Sequence, residues 1–571
     1  MPRLRDEEAV VGRSKRVALM SGGELLVRTL ADAGVSCAFG LHGAHLETLF
    51  QACPAHGIRI VDTRHEAAAG HAAEGYARAR RSLAVAMVTA GPGFTNCITS
   101  LANAYLDRTP VLYLSGSAAL RDAETNTLQA GIDQAAIARP LTKWSHQITL
   151  AGEIPRLVGH AIRTALTPPT GPVLLDLPTD VLNSRVEETA VRRPRTIALE
   201  VRPGPDPAAI EQALERLLAA QRPVILAGAG AWQSGCAQAL REFAELAAIP
   251  VFSDFQAHGL LPSEHPLYGG TFHKLADLTG EDRPDVVLAL GTRFGLFTLG
   301  ASDRLVPQAA AVIHVEIDAR EIGRLRDVAL AIPADPRRTL EALLAAGRHR
   351  PWPQRDAWRG RIEAARAARR AALAAALARR EPPIHPYQAV AALIENIPPD
   401  TLIVGDGAEA YHWLNETIRQ SAPGSYITHG FLGAVGFGLG LAIGVQSAEP
   451  ARPVLCLAGD GAIGFTLAEF DTLARHGLPV VVLVMNNRSW GASQHFQEMI
   501  GNPVRGTRLG DARYEDVAIA LGCDGRAITR IEALGPALRE AFASGRPTCL
   551  NVAIDVTPLP PELALLASRH S

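Results

Sequence analysis

Residues 459–487 read GDGAIGFTLAEFDTLARHGLPVVVLVMNN, and this stretch sets the fold class. An apolar run, VLCLAG (454–459), stops at Gly459-Asp460-Gly461; a segment of helical length follows; a second run, LPVVVLVMNN (478–487), stops at Asn486-Asn487. Both runs are apolar on both faces, as strands buried inside a parallel sheet must be. Asp460 and Asn487 lie 27 residues apart, the length of one turn, one helix and one strand. Both side chains therefore emerge at the carboxyl edge of neighbouring parallel strands, where open α/β sheets bind ligands. One carboxylate and one amide supply oxygen ligands only, a set suited to Mg²⁺, whose remaining positions are filled by phosphate oxygens and water. Gly461 leaves room for the backbone to approach those phosphates, and the following helix offers its N-terminal N–H groups.

The same alternation of helices with short Val/Leu/Ile runs extends N-terminally and predicts an α/β chain of three doubly wound parallel-sheet domains. The first, residues 17–190, contains the strand candidates AVAMVTA (84–90), PVLYLSG (110–116) and PVLLDLP (172–178). A polar stretch with prolines, 186–207, reads as a linker to a central domain, 205–345, with strands expected in PVILAGAGAW (223–232), PDVVLALGTRFG (284–295) and VIHVEID (312–318). The Gly228-Ala229-Gly230 turn lacks the full dinucleotide fingerprint and reads as structural. Residues 354–381, QRDAWRGRIEAARAARRAALAAALARRE, have strong helix propensity, and no aromatic residues alternate with the arginines. They read as a solvated connecting helix within a linker, 346–384, and not as a nucleic-acid surface. The third domain, 385–560, opens with TLIVGDG (401–407); its glycine-rich run FLGAVGFGLGLAIGV (431–445) is too short to span a membrane and reads as a tightly packed internal helix.

Composition narrows the partners. The 571 residues carry 56 Lys+Arg against 58 Asp+Glu, a net charge of −2, so no global field recruits nucleic acid or an anionic membrane. Seven dispersed cysteines without a C-x-x-C pair fit a reduced, cytoplasmic compartment. Residues 1–16 have no apolar core and read as an extension, neither signal nor anchor. Three lysines, Lys15, Lys143 and Lys274, leave few candidates for Schiff-base chemistry.

The GDG-to-NN pattern is that of the thiamine diphosphate enzymes, and the chain resembles the acetolactate synthase/pyruvate decarboxylase-like members of that family. The resemblance implies thiamine diphosphate and Mg²⁺ as cofactors, with Asp460, the Asn487 side chain and the Ser489 carbonyl as metal ligands. It implies a cofactor cradle of Gly459, Gly461, Ala462, Trp490 and Gly491, a second turn at Asp406-Gly407-Ala408-Glu409, and contacts from Gly433 and Val435. The aminopyrimidine ring of the cofactor then needs a carboxylate, and Glu66 in DTRHEAAAGHAAEGYARA (62–79) is the candidate. Its hydrogen bond to a ring nitrogen favours the imino tautomer, which takes the thiazolium C2 proton. Small neighbours, Ala67 to Gly70, keep water out and strengthen that bond. Glu74, two turns on, reads as a surface residue. A zinc site from His65, Glu66 and His71 is excluded, because paired ligand histidines on a helix lie four apart and these are six apart. Pro92 belongs to TAGPGFTN (89–96), similar to the family's Gly-Pro-Gly turn beside the pyrimidine.

Within the family, FGLHGAHLETLFQAC (39–53), LRDAETNTLQAGIDQAAIARPLTKW (120–144), GPVLLDLP (171–178) and MNNRSWGASQHF (485–496) most resemble the benzaldehyde lyases. That resemblance implies cleavage of benzoin-type 2-hydroxyketones to aldehydes and the reverse carboligation, with no FAD. It implies a homotetramer, a dimer of dimers, in which each chain carries half of each site. Ala44, His45, Gln129, Thr179, Tyr411 and Ala492 would line the substrate pocket. Beside Glu66, His45 would exchange a proton with the substrate hydroxyl, and Gln129 would bind the cofactor-linked alcohol. Three positions depart from the pattern: Thr179 replaces tryptophan, Val435 replaces a methionine, and Pro92 replaces glycine. The absence of an adjacent His-His pair argues against a pyruvate decarboxylase type. The alternatives are an acetolactate synthase-like or 2-hydroxyacyl-CoA lyase-like enzyme; the former often binds FAD in the middle domain, and Arg293 in GTRFG keeps that open.

Overall fold

In the computed structural model the described residues are 19–197, 199–295, 299–300, 302–419, 422–428 and 430–567; the 1–16 extension lies outside them. Strand β1 (Leu19–Ser21) precedes a parallel sheet of β2 (Cys37–Gly40), β3 (Arg59–Asp62), β4 (Ala84–Val88), β5 (Val111–Ser117), β6 (Trp144–Gln147) and β7 (Val173–Pro178), arranged β3-β2-β4-β5-β7-β6. β8 (Arg185–Glu187) returns to pair antiparallel with β1, so the polar stretch read as a linker begins as a strand tied to the first domain. The central sheet contains β9 (Pro223–Ala227), β10 (Val251–Ser253), β11 (Tyr268–Thr271), β12 (Val286–Leu290), β13 (Ala311–Val315) and β14 (Leu330–Ile332), in the order β11-β10-β9-β12-β13-β14. The third takes β15 (Leu402–Asp406), β16 (Tyr426–Thr428), β17 (Val454–Gly459), β18 (Val480–Asn486), β19 (Asp524–Ile528) and β20 (Thr548–Ala553), in the order β16-β15-β17-β18-β20-β19.

Counted within each sheet, the first and third have the order 2-1-3-4-6-5 and the central one 3-2-1-4-5-6. Winding reverses between β2 and β4, between β15 and β17, and between β9 and β12. Each reversal opens a crevice at the carboxyl ends of the strands. Helices bury the middle strands, β4, β12 and β18, at every residue.

The first and third domains lock together through two helices, Glu66–Arg80 and Gly438–Ala448. They cross so closely that a Cβ on Gly75 would stand 2.2 Å from the Leu441 carbonyl oxygen, and one on Gly444 would stand 1.8 Å from that of Ala72. Only glycine permits this approach. The run 431–445 is thus only partly the internal helix expected of it. Gly433 (φ +66°) and Gly436 (φ +83°) are left-handed and break helical continuity, so Phe431, Leu432 and Val435 lie on an exposed loop before the helix starts. Glu74 is likewise buried, not superficial: Asn103 donates to both its oxygens and Arg78 pairs with it at 2.6 Å. Arg78 also binds Asp107, whose Oδ1 accepts the Phe431 N–H, so this network ties the first domain to the 431–436 loop.

The arginine-rich connection forms helix Asp356–Ala378, which buries only Trp358 and Ile362 and is pinned where Arg369 pairs with Asp277 and Glu416. All seven cysteines are free and buried. No helix among the described residues is long and apolar enough to cross a membrane.

Candidate active site

β17 and β18 are adjacent and parallel, with Gly459 opposite Met485, so Asp460 and Asn487 emerge together, as their spacing requires. The Arg488 and Ser489 N–H groups donate to Asn486 Oδ1 (3.1 Å) and Asn487 Oδ1 (3.0 Å) and lie close enough to the Asp460 carboxylate to lower its pKa, which places it against the end of β18. Its Oδ2 is buried and has no hydrogen-bond partner among the described residues. Burial pushes this carboxyl up to about 6. An unsatisfied buried acceptor of this kind costs roughly 1–3 kcal/mol, more when charged, and a cation at this edge would satisfy it. No cluster of three or more His, Cys, Asp or Glu side chains is arranged for a metal among the described residues, so an ion here would rely on mixed ligands: Asp460, the Asn487 amide and the Ser489 carbonyl.

The cradle around this edge fits a phosphate-bearing ligand. Nothing lies within 4 Å of where a Cβ would stand at Gly459 or Gly433. At Gly461 a Cβ would meet the Trp490 ring at 2.5 Å, and at Gly491 it would collide with the Glu409 carboxylate, so those glycines let Trp490 and Glu409 approach. Glu409 accepts from Asn487 Nδ2 at 3.2 Å and lies 3.4 Å from His495 Nδ1; burial raises its pKa to about 8. Ala408 is exposed and Ala462 buried beside these turns. Asp406 serves the cradle indirectly. Its oxygens accept the N–H groups of Gly436 (3.1 Å) and Gly438 (2.7 Å), anchoring the loop that carries Gly433 and Val435.

The first-domain half lies at the crevice between β2 and β4. Glu66 opens its helix, 8% exposed; Asn96 Nδ2 donates to Oε2 at 2.9 Å, while Oε1 faces the Pro92-Gly93 turn. His45 stands on the short helix Ala44–Leu46, its Nδ1 3.1 Å from Thr89 Oγ1, and burial lowers its pKa. Gln129 is half-buried with φ +63°, a conformation that L side chains rarely adopt and that clusters at functional sites. Thr179 opens a short helix whose Asp180 holds the Leu120 N–H at 3.0 Å. The expected pocket wall differs at Tyr411, which is 2% exposed and packed between the rings of Phe255 and His412. Ala492 lies half-buried on helix Gly491–Met499.

A cleft of about 1090 Å³ lies elsewhere, between the first domain and the central crevice. Its polar groups are engaged within the chain. Arg108 reaches across to Glu316 (2.8 Å) and Asp318 (3.0 Å), Arg293 donates to the Leu106 carbonyl and stacks on Phe431, and Asp254 accepts the Ala229 N–H at 3.0 Å.

Family models place this geometry. Residues 20–137 match the N-terminal TPP binding domain of thiamine pyrophosphate enzymes, 210–343 their central domain and 406–552 their C-terminal TPP binding domain. The chain belongs to the thiamine pyrophosphate enzyme family. Within it, the chain is 33% identical over 552 residues to the acetolactate synthase large subunit IlvG of Mycobacterium tuberculosis, covering 96% of this chain and 98% of that one. It is 32% identical over 502 residues to the acetolactate synthase isozyme 3 large subunit of Escherichia coli (84% and 85% covered), and 30% identical over 534 residues to the acetolactate synthase of Arthrospira platensis (89% and 89%). These relatives support the acetolactate synthase-like alternative better than the benzaldehyde lyase-like reading. Sequence reasoning missed the polar residues beneath the site, Asn96, Thr89 and Gln134. Their signal is weak, since a lone amide or hydroxyl beside a glycine turn has no spacing rule.

Proposed function

We propose that this chain joins two carbonyl compounds into a 2-hydroxyketone, using thiamine diphosphate and Mg²⁺, with a 2-keto acid donor that loses its carboxylate as CO₂, the reading that the names of its acetolactate synthase relatives suggest. The observation that carries this reading is the unpartnered Asp460 oxygen beside Asn487 and Ser489 at the crevice of the third sheet. When bound, the cofactor supplies a nucleophilic carbon that adds to a carbonyl. Asp460, Asn487 and the Ser489 carbonyl would hold the metal, and the open space at Gly459 and Gly433 would admit the diphosphate. Glu66, steadied by Asn96 on one oxygen, would keep the other for the aminopyrimidine. His45, whose pKa burial lowers, would take or return the proton of the substrate hydroxyl.

Exposed apolar residues ring both halves: Leu128 (83%) on the first domain, and Phe465 (67%) and Ile500 (53%) on the third. A second copy of the chain would cover them, so we place the working site between the first domain of one copy and the third of its partner, with a dimer of dimers as the assembly. The engaged polar groups of the central cleft favour an enzyme without FAD, and seven buried thiols fit a reducing cytoplasm.

A second reading has its own support. Among Ala44, His45, Gln129, Thr179, Tyr411 and Ala492 there is no fixed cation to bind a carboxylate, which favours uncharged aldehydes and benzoin-type ketones. Incubating the chain with thiamine diphosphate, Mg²⁺ and either pyruvate or benzaldehyde separates the two. Acetolactate from pyruvate supports the first, benzoin from benzaldehyde the second, and neither product, with cofactor bound, refutes the carboligase assignment.

A further inference from the structure

Gln134 opens the helix Gln134–Ala138, where Asp133 caps the first turn by accepting the Ala136 N–H at 2.8 Å. Its side chain is 2% exposed, and both ends of the amide are used. Oε1 accepts the Gly91 N–H at 2.9 Å; Nε2 donates to the Gly116 carbonyl at 2.9 Å and to Asp176 Oδ1 at 3.0 Å. Gln147 donates to the other Asp176 oxygen at 2.9 Å, and the Ser117 hydroxyl lies close enough to lower the carboxyl's pKa against the burial that raises it. One amide therefore ties the ends of β4, β5 and β7 beneath the first-domain crevice, and Asp176 extends the tie to β6.

The segments so held bear on the candidate catalytic groups. Gly91 (φ +62°) leads into Pro92-Gly93, where a Cβ on Gly93 would lie 3.5 Å from Glu66 Oε1. A Cβ on Gly91 itself would lie 3.2 Å from the Gln129 Cα, and one on Gly116 would lie 2.6 Å from the His45 Cβ. We propose that Gln134 is a positioning residue whose three hydrogen bonds set the placement of Glu66, His45 and Gln129. This inference rests on the thiamine diphosphate chemistry proposed above.

Only an amide can accept at one end and donate twice at the other. Q134E keeps the shape and the acceptor but loses both donors and sets a second carboxylate against Asp176. The charged groups facing that position are Asp176 from β7 and Asp133 from the helix start; Gln147 and Ser117 are neutral. Two carboxyls in contact can share one proton, so the contact is kept at low pH and lost as pH rises through the pair's raised pKa.

The test reads hydrogen–deuterium exchange at the C2 position of bound thiamine diphosphate, in the Mg²⁺-loaded protein without substrate, by acid quench and NMR. Q134E should bind the cofactor normally, exchange about 10- to 100-fold more slowly than wild type near pH 8, and approach wild type near pH 5.5. Adding D176N to Q134E removes the second charge and should bring exchange near pH 8 back to within about threefold of wild type. Equal exchange at every pH, a loss that does not vary with pH and follows the melting temperature, or no recovery in the double variant overturns the proposal. Wild-type protein that holds the cofactor yet exchanges C2 no faster than free thiamine diphosphate refutes the underlying functional reading instead.

Discussion

The crevices between β2 and β4 and between β15 and β17 occupy the same place in two sheets of identical strand order, yet they are furnished oppositely. The first is small and nearly neutral, lined by Thr89, Gly91 and His45, with Glu66 alone bringing charge. The third gathers Asp406, Glu409 and Asp460, all held above the ordinary carboxylate range by burial, around glycine backbone. The central crevice, between β9 and β12, has a different strand order, and Arg108 of the first domain reaches across its cleft to Glu316 and Asp318. Strand order decides where a ligand can sit; a handful of residues at the strand ends decides whether the crevice takes a ring, a metal-bound diphosphate or a neighbouring domain.

The largest effect is expected from removing the charged centre of the third crevice. D460A should abolish Mg²⁺-dependent retention of thiamine diphosphate, followed by quenching of the Trp490 fluorescence, and reduce turnover on the order of 10³-fold. E66A tests the first crevice: turnover and C2 exchange should fall about 10²- to 10⁴-fold while cofactor retention stays near wild type, which separates ring activation from diphosphate binding. R108A cuts the tie across the central crevice by leaving Glu316 buried without its ion pair; we expect about 3 kcal/mol of destabilisation in denaturant titration, with activity per folded molecule preserved. The smallest effect concerns Asp254, whose pKa burial raises to about 7. A carboxyl raised in the folded state contributes stability at low pH that is lost as pH rises through the folded pKa. The melting-temperature advantage of wild type over D254N should therefore shrink between about pH 4 and 7 and stay constant above.

The parts of this comparison legible in sequence are those with a fixed chemical grammar. Asp460 and Asn487 could be placed at neighbouring strand ends because their spacing spans one helix and one strand, and Glu66 could be placed among small residues, at what the structure shows is a helix start. The three-sheet α/β architecture followed from apolar runs such as 480–486, which no exposed segment tolerates. Long-range partners escaped notice: Arg108 meets Glu316 across 208 residues and Gln134 meets Asp176 across 42, and neither pair has a local pattern. The short strands β10, β11 and β14 offered three or four residues each, too few for periodicity to register. The 431–445 run misled because apolar content alone cannot distinguish a helix from a loop interrupted by left-handed glycines, and Glu74 misled because Asn103 and Asp107, which complete its buried network, lie about 30 residues away with no local pattern, although Arg78 at i+4 was in view.

The glycine-lined crossing of Glu66–Arg80 with Gly438–Ala448 has a mechanical consequence. With backbone carbonyls already closer than a methyl group could stand, the two helices have no slip plane, and the two half-sites of one chain form a rigid frame. The first and third domains of one chain therefore move as one body, and a site shared between two copies would adjust by movement of one whole copy against the other.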